Sequence, residues 1–556
     1  MPLCSDVLVH PSLKCALRGK PSASAVQFRN LKYASIPARY KDSIPFESLE
    51  VDSSGVFDAT YFGPSCPQLR GAQAWDLTLV GVITLPCEQG QGKTENMDEF
   101  ECLNLTVTVP TSPTASKRKG RNELPVFVWV HGGGLSMGSN SWPQYDVRRF
   151  VDRSSKIGKP IIGVAINYRH GIFGFLASDE IGATGNMGYK DQVLAFRWIK
   201  KHIAGFGGDP ANVTAVGESA GAISLSTLLC ANIGTEGLFE RVVLMSGEVT
   251  LRKPTNRRWQ QQMFEDQAKH LGLDVKDKQG LNIVLLDTEA EALAQKLPLA
   301  QHFSGTVDGK WIKEDITIKT VTNGGRVEHK PIWCKEFVTG DAAHDGMVLK
   351  ARILDHPDAL ARLKVACKMH LSPSETQRLL AAYNLQNTPS KEEEMDRLRE
   401  IASELRFYLP SLAAYRGWKA TSPPKRASRY HFHVPNPVDG LCKGLASHEL
   451  DVAYLLQNFN DHFDERNRKI AQEMADHFIN FTNGEGWVEN GKVIVFTRDG
   501  IAKVDEERYD QEYRGGRGTV MEEIGAEKLR HVAETWQGVR KEEHASTRSI
   551  SKEAKL

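Results

Sequence analysis

The sequence lacks any apolar run long enough to cross a membrane, since its longest apolar stretches, 126–130 and 161–166, are only strand-sized. It also lacks an excess of either charge: 70 Lys and Arg residues stand against 69 Asp and Glu residues in 556. This balance gives no electrostatic reason to expect a nucleic acid or an acidic membrane as partner. With 40% hydrophobic and 25% charged residues, the composition is typical of a water-soluble globular protein and excludes disordered, collagen-like and disulfide-stapled chains.

Cysteine is scarce, and no Cys-x-x-Cys pair occurs among the nine cysteines. The first thirty residues carry charges with no continuous apolar segment between them, so we expect no secretory signal peptide. Both features favour a reducing compartment. The last three residues, Ala554, Lys555 and Leu556, resemble the Ser-Lys-Leu tripeptide recognised by the peroxisomal import receptor. The sequence therefore leaves the cytosol and the peroxisome open, with that receptor as a partner in the second case.

Predicted strands alternate with predicted helices along the chain. β-Branched and aromatic residues predict strands at 124–130, 161–167, 213–216, 238–245, 429–434 and 493–496. Helical spacing is found at 191–203 and 220–230. This alternation predicts an α/β fold with a mostly parallel central sheet and helices on both faces. We expect an N-terminal extension over 1–30, a single domain over 31–537 with a helical cap insertion at about 257–416, and a charged tail over 538–556.

A serine flanked by glycines follows one of the predicted strands. In Gly217-Glu218-Ser219-Ala220-Gly221, the small neighbours permit the tight strand-to-helix turn that exposes a nucleophilic serine. The hydroxyl would then lie at a helix N-terminus, where developing negative charge is favoured. The competing interpretation is an ordinary glycine turn with a capping serine. The position between a strand and a helix favours the nucleophile.

A run of glycines directly after the strand 124–130 suits the stabilisation of an oxyanion. Gly132, Gly133 and Gly134 lack a Cβ, so their backbone can approach a substrate oxygen closely. The N–H groups of Gly133 and Gly134, together with that of Ala220 after the nucleophile, are the predicted oxyanion hole. A flexible linker is the alternative, although the apolar flanks of this run disfavour it.

These motifs resemble those of the type-B carboxylesterases, the cholinesterase-like branch of the α/β-hydrolase superfamily. The resemblance covers roughly residues 31–496, with departures at Ala215, Asn104 and Thr106. It implies the α/β-hydrolase fold, a Ser-Asp-His triad, and a disulfide between Cys66 and Cys102. The segments that carry it are 101–103, 185–188, 191–192, 206–210, 213–214, 217–221, 237–239, 246–247 and 307–309.

The base is predicted to be His448, because it lies in a loop after the strand 429–434 and its spacing to Asp451 matches the family's histidine block. His431 and His433, inside that strand, favour a structural role. The acid is predicted to be Asp345, in the loop after the strand-like segment 332–338. Asp341 remains the competitor, and Asp308 is a more distant alternative.

Together these residues predict a serine carboxylic-ester hydrolase that forms an acyl-enzyme with a small-molecule ester. An acyltransferase or lactone-forming enzyme that uses the same triad is the alternative, because only the acceptor differs. A non-catalytic binding module of the same family is a third hypothesis, disfavoured by the complete set of catalytic residues. No metal-ligand spacing or phosphate-binding loop occurs, so no cofactor is implied.

Overall fold

The computed structural model describes residues 6–46, 48–86, 95–111, 123–299, 301–387 and 390–538. The predicted tail from 539 onward, including Ala554, Lys555 and Leu556, lies outside these residues. The strands are β1 (Val7–His10), β2 (Cys15–Pro21), β3 (Ala25–Lys32), β4 (Ala34–Ser35), β5 (Ile44–Pro45), β6 (Val56–Ala59), β7 (Asn104–Pro110), β8 (Leu124–Val130), β9 (Ile162–Ile166), β10 (Ala177–Ser178), β11 (Ala183–Thr184), β12 (Gly208–Glu218), β13 (Arg241–Met245), β14 (Glu336–Ala342), β15 (Arg426–Phe432), β16 (Lys492–Thr497) and β17 (Gly500–Asp505).

Most of these strands form one central sheet. Its order is β1-β2-β3-β7-β9-β8-β12-β13-β14-β15-β16-β17, with β6 beside β2. The strands from β9 to β16 in this order are all parallel, and the strands at the two sides are mostly antiparallel. The mostly parallel sheet that the sequence predicts is therefore present.

Helices cover both faces of this sheet. They are α1 (Ala72–Leu77), α2 (Arg148–Lys156), α3 (Gly171–Phe175), α4 (Met187–His202), α5 (Ala220–Cys230), α6 (Arg257–His270), α7 (Lys278–Asn282), α8 (Ala290–Ala294), α9 (Ile318–Thr322), α10 (Ala359–His370), α11 (Pro373–Ala382), α12 (Lys391–Ser403), α13 (Leu409–Lys419), α14 (Leu450–Leu456), α15 (Glu465–Thr482), α16 (Glu506–Arg514), α17 (Arg517–Ile524) and α18 (Ala526–Gln537). No helix in the described parts of the chain is long and apolar enough to cross a membrane.

Alternate residues of β8 show why both faces must be covered. Val126 and Val128 belong to a core that includes Phe196 of α4. Phe127 and Trp129 point to the other face and belong to a second core with α2 and α15. Because a strand alternates its side chains between faces, a strand that is apolar at every position needs a layer on each side.

Two predicted boundaries are wrong. Residues 7–32 are not an extension, because β1 to β3 join the central sheet and β3 pairs with β7. The range 257–416 is not one cap insertion, because β14 lies inside it, between β13 and β15 of the sheet. The helices of this range come in two groups, α6–α9 before the strand and α10–α13 after it. Local helical spacing does not show that a short apolar strand between two helical groups returns to the sheet.

Candidate active site

Ser219 lies at the sharp turn between β12 and α5. Its φ of +50° and ψ of −118° are far from the usual conformations of a non-glycine residue. A Cβ on Gly221 would approach the carbonyl oxygen of Val130 to 2.0 Å, and one on Gly217 would approach Gly221 to 2.6 Å. A Cβ on Gly247 would lie 2.4 Å from the carbonyl oxygen of Ser219. The surrounding glycines therefore let three backbone segments meet at the strained serine, in a turn of the kind that the small neighbours of Ser219 predict.

The glycine run after β8 lies directly against this turn. A Cβ on Gly132 would be 3.2 Å from the Cβ of Ser219. Gly133 and Gly134 have φ values of +89° and +62°, which favour glycine. Within the described residues, the N–H groups of Gly133, Gly134 and Ala220 are recorded with no protein acceptor. These three N–H groups are therefore candidate donors to an oxyanion.

His448 and Asp345 form a buried pair. Nδ1 of His448 lies 2.7 Å from Oδ1 of Asp345, and both side chains are at most 2% exposed. Burial raises the pKa of Asp345, and the hydrogen bond from His448 opposes this rise. The two loops are joined by His344, whose N–H donates to Ala446 O at 2.8 Å and whose Nδ1 accepts from Ala446 N–H. These two hydrogen bonds fix the position of Asp345 relative to His448.

The second ring nitrogen of His448 contacts Glu218, the residue before Ser219. Nε2 lies 3.0 Å from Oε1 of Glu218. Among the described side chains, His448 forms no hydrogen bond with the Ser219 hydroxyl. Because Glu218 and Ser219 are adjacent in the chain, this contact brings His448 to the nucleophile turn. The ring of Phe407, 5.2 Å from that of His448, covers the imidazole.

Further buried carboxyl groups surround His448. Glu449 adopts a φ of +68° and accepts a hydrogen bond from Tyr145 at 2.9 Å, while the same hydroxyl lies 3.0 Å from Asp76. Burial and neighbouring carboxylates raise the pKa values of Glu218 and Glu449 well above the ordinary range. Burial also raises the pKa of Asp451 to about 7. Sequence reasoning missed this cluster, although the acidic residues at 449 and 451 next to the predicted base were a visible signal.

The competing candidates lie elsewhere. Asp341 is 3.1 Å from Nδ1 of His431, which stacks on Tyr509 at a ring distance of 3.8 Å. Asp308 accepts hydrogen bonds from the N–H groups of the turn that follows it. His433 lies 3.1 Å from the Tyr509 hydroxyl. In this structure, none of them contacts His448 in the described side chains, which supports the prediction of Asp345 over Asp341.

The disulfide implied by the resemblance is not formed. Cys66 and Cys102 are free and fully buried in the structure, and their thiols interact with each other. A disulfide under oxidising conditions stays a prediction.

Comparison with known proteins identifies the family. The sequence model of the carboxylesterase family matches residues 14–496. The chain belongs to the carboxylesterase family. This membership confirms the family predicted from the resemblance, and with it the prediction of a carboxylic ester hydrolase.

Individual relatives agree with this assignment. Lipase 3 of Yarrowia lipolytica is 29% identical over 491 residues, which are 86% of this chain and 89% of that protein. Para-nitrobenzyl esterase of Bacillus subtilis is 34% identical over 236 residues, 42% of each chain. Among solved structures, a thermophilic PNB esterase has a TM-score of 0.68 and 21% identity, over 93% of this chain and 100% of that one. The structural similarity confirms the predicted α/β-hydrolase fold.

Proposed function

We propose that this family member hydrolyses carboxylic esters with Ser219 as nucleophile, His448 as general base and Asp345 as the residue that orients the imidazole. The observation that carries this proposal is the strained turn of Ser219 beside a histidine whose Nδ1 is held by a buried carboxylate at 2.7 Å. A serine hydroxyl is a weak nucleophile and needs such a base. Because Asp345 occupies Nδ1, the nitrogen available for catalysis is Nε2.

The reaction then follows from the positions of these groups. Nε2 of His448 accepts the proton of the Ser219 hydroxyl while the oxygen attacks the ester carbonyl. The N–H groups of Gly133, Gly134 and Ala220 stabilise the oxyanion, at about 3–4 kcal/mol for each well-placed donor. The imidazolium returns its proton to the departing alcohol, and water hydrolyses the acyl-enzyme with the same base.

In the structure Nε2 of His448 contacts Glu218 rather than Ser219. The arrangement without substrate therefore differs from the one in which Ser219 attacks the ester. The imidazole or the Ser219 side chain must therefore move so that Nε2 faces the Ser219 hydroxyl. Catalytic hydrogen bonds in ligand-free sites commonly tighten only when substrate binds.

Covalent labelling tests the nucleophile. Wild-type protein treated with a fluorophosphonate should carry the label on Ser219, located by peptide mass spectrometry. Ser219→Ala should lose the label and lower kcat on p-nitrophenyl hexanoate by about 10⁴-fold or more, since no other group replaces the attacking oxygen. Ser374→Ala, at an exposed serine of α11, is the matched control and should change neither readout.

Wild-type protein that is not labelled and does not cleave esters would contradict the proposal and favour a binding module. The acyltransferase alternative is examined in the same assay by adding an alcohol acceptor. Product ester in place of free acid would show that transfer competes with hydrolysis.

A further inference from the structure

Three arginine side chains lie close together near the nucleophile. Arg252 ends the short helix after β13, Arg352 lies in the turn before α10, and Arg406 lies in the turn before α13. Beside burial, the charges of Arg352 and Arg406 contribute to the lowered pKa of Arg252, and those of Arg530 and Arg352 contribute to the lowered pKa of Arg406. Among the described residues, none of the three forms an ion pair within 4.0 Å. The charge of Glu534 raises the pKa of Arg406, but its carboxylate is paired with Arg530 at 2.5 Å.

The hydrogen bonds of these arginines are incomplete. Arg406 is 6% exposed and donates from Nη2 to Leu251 O at 3.0 Å, while its buried Nε has no hydrogen-bond partner among the described residues. In the described part of the chain, the hydrogen bonds of Arg252 go to carbonyl oxygens, those of Gly134, Gln301 and Phe303. Neutral carbonyls satisfy donors but leave the charge uncompensated, and buried like charges without a counter-ion are costly.

The electrostatic state of this cluster follows from its burial. Burial, with Arg352 next in importance, lowers the pKa of Arg252 to about 9, and burial lowers that of Arg406 to about 10. His302, whose Nδ1 lies 3.4 Å from Arg352, has its pKa lowered to about 2 by burial and by the three arginines, so it is neutral. At pH 7 all three guanidinium groups remain charged, and an anion would stabilise them.

The cluster adjoins the catalytic groups on two sides. Arg252 donates to the carbonyl of Gly134 and lies 3.5 Å from the point where a Cβ on this glycine would sit. Arg406 precedes Phe407, whose ring lies 5.2 Å from that of His448. A group bound to the arginines would therefore lie near an ester held between the oxyanion donors and His448.

We propose that Arg252, Arg352 and Arg406 bind an anionic group, a carboxylate or a phosphate, that is carried by the ester substrate. This inference rests on the proposed function and specifies its substrate class. Guanidinium groups suit both anions, because their planar donors match two oxygens at once.

Two ester pairs that differ by one carboxylate test the proposal. Mono-p-nitrophenyl adipate is compared with p-nitrophenyl hexanoate, and 4-carboxybenzyl hexanoate with benzyl hexanoate, so that the charge lies on the acyl or on the alcohol side. We expect kcat/KM to be about tenfold or more higher for the charged member of at least one pair. Arg252→Gln and Arg406→Gln should lower this charged-to-neutral ratio about tenfold or more, as expected for loss of a charge-assisted hydrogen bond. Arg508→Gln, an exposed arginine paired with Glu512, is the matched control and should keep the wild-type ratio.

A binding measurement covers a phosphate-bearing substrate and does not depend on turnover. Adipate, inorganic phosphate and neutral hexanamide are added to Ser219→Ala protein, and the rise in Tm is recorded. A larger rise with adipate indicates a carboxylate and a larger rise with phosphate indicates a phosphate ester. Either rise should be lost when Arg406→Gln is added.

The two proposals fail in different ways. Ratios near one for both ester pairs, with no rise in Tm from either anion, would overturn the anion site. In that case the proposed esterase function would still hold if the neutral esters are cleaved and Ser219 reacts with the fluorophosphonate. The anion site would also be overturned if Arg252→Gln and Arg406→Gln left the charged-to-neutral ratio of kcat/KM unchanged. Loss of labelling and of all ester cleavage would instead overturn the proposed function.

Discussion

Asp341 and Asp345 are four residues apart, yet they contact different histidines. Asp341 lies in β14 and contacts Nδ1 of His431 on the neighbouring strand β15. Asp345 lies after β14 and accepts a hydrogen bond from Nδ1 of His448. Burial raises the pKa of both carboxyls, to about 6 for Asp341. The two carboxyl groups are therefore chemically alike, and only their positions distinguish Asp345, the proposed orienting acid, from Asp341.

Substituting each aspartate by asparagine separates the two. Asp345→Asn should lower kcat about 10⁴-fold, because an amide at this position no longer holds the tautomer with a proton on Nδ1. Asp341→Asn should leave kcat within about threefold and act mainly on stability. Steady-state kinetics and urea unfolding of both variants check this. Equal losses of kcat would show that Asp345 is not the orienting acid.

Single residues were predictable where a local constraint acts on them. The turn at Ser219 needs small neighbours, and the five residues 217–221 show that requirement in the sequence. The surroundings of His448 were not predictable, because Asp76, Tyr145 and Glu449 come from segments that only the fold brings together. The raised pKa values in this cluster depend on burial, which no short motif encodes.

At the scale of elements, the active site depends on how closely β12, α5 and the end of β8 approach one another. Gly221 is in the first turn of α5, and a Cβ there would meet the carbonyl oxygen of Val130 at 2.0 Å and that of His131 at 2.9 Å. The backbone atoms of β8 cannot move aside without moving the oxyanion loop that follows. This contact couples the helix position to the catalytic geometry.

Gly221→Ala should therefore lower kcat/KM about 100-fold or more, because a shift near 1 Å misplaces Ser219 relative to its donors. Gly486→Ala is the matched control, since a Cβ at Gly486 meets nothing within 4 Å and its φ is not positive. Ester kinetics, with the rate of fluorophosphonate labelling as a second readout, measure the effect. Unchanged activity in Gly221→Ala would mean that the close approach is relaxed in solution.

Elements with a continuous apolar signal were located well from sequence, and those defined by tertiary pairing were not. Leu124–Val130 and Ala220–Cys230 match the predicted ranges because each is bounded by glycine, serine or polar residues. The strands β1 to β3 were missed because their apolar residues are interrupted by charges, and they gain stability from pairing with β6 and β7. Phe28 and Leu31 of β3 are nevertheless fully buried.

At the scale of the whole molecule, the net charge is only +1, but the buried charged groups are unevenly distributed. Carboxyl groups cluster around His448, whereas Arg252, Arg352 and Arg406 form no ion pair within 4.0 Å in the described part of the chain. Because the carboxyl groups and the arginines do not pair with each other, the repulsion within each cluster is not compensated, and this lowers the free energy of unfolding. Active sites commonly hold such perturbed groups, because their charges serve the reaction rather than the fold.

The stability of the molecule should consequently fall as the pH rises. Asp451 is fully buried, and its pKa is raised from 3.8 to about 7 by burial and by Asp345, so the folded state retains a proton that the unfolded chain releases. The free energy of unfolding then decreases between about pH 4 and pH 7 and is level above. Asp451→Asn stays neutral and should remove this decrease, with similar stability to wild type near pH 4 and a gain of up to about 4 kcal/mol at pH 8, at about 1.4 kcal/mol for each pKa unit.

Urea unfolding of wild type and Asp451→Asn at pH 4.5 and pH 8 measures this difference. Asp358→Asn, an exposed aspartate at the N-terminus of α10, is the matched control and should show the same difference from wild type at both values. A destabilised Asp451→Asn at pH 8 would mean that the carboxylate is ionised in the folded state and stabilised by His448 or Tyr430. In that case the carboxyl cluster would act as a stabilising counter-charge for the imidazolium, and its burial would no longer oppose folding.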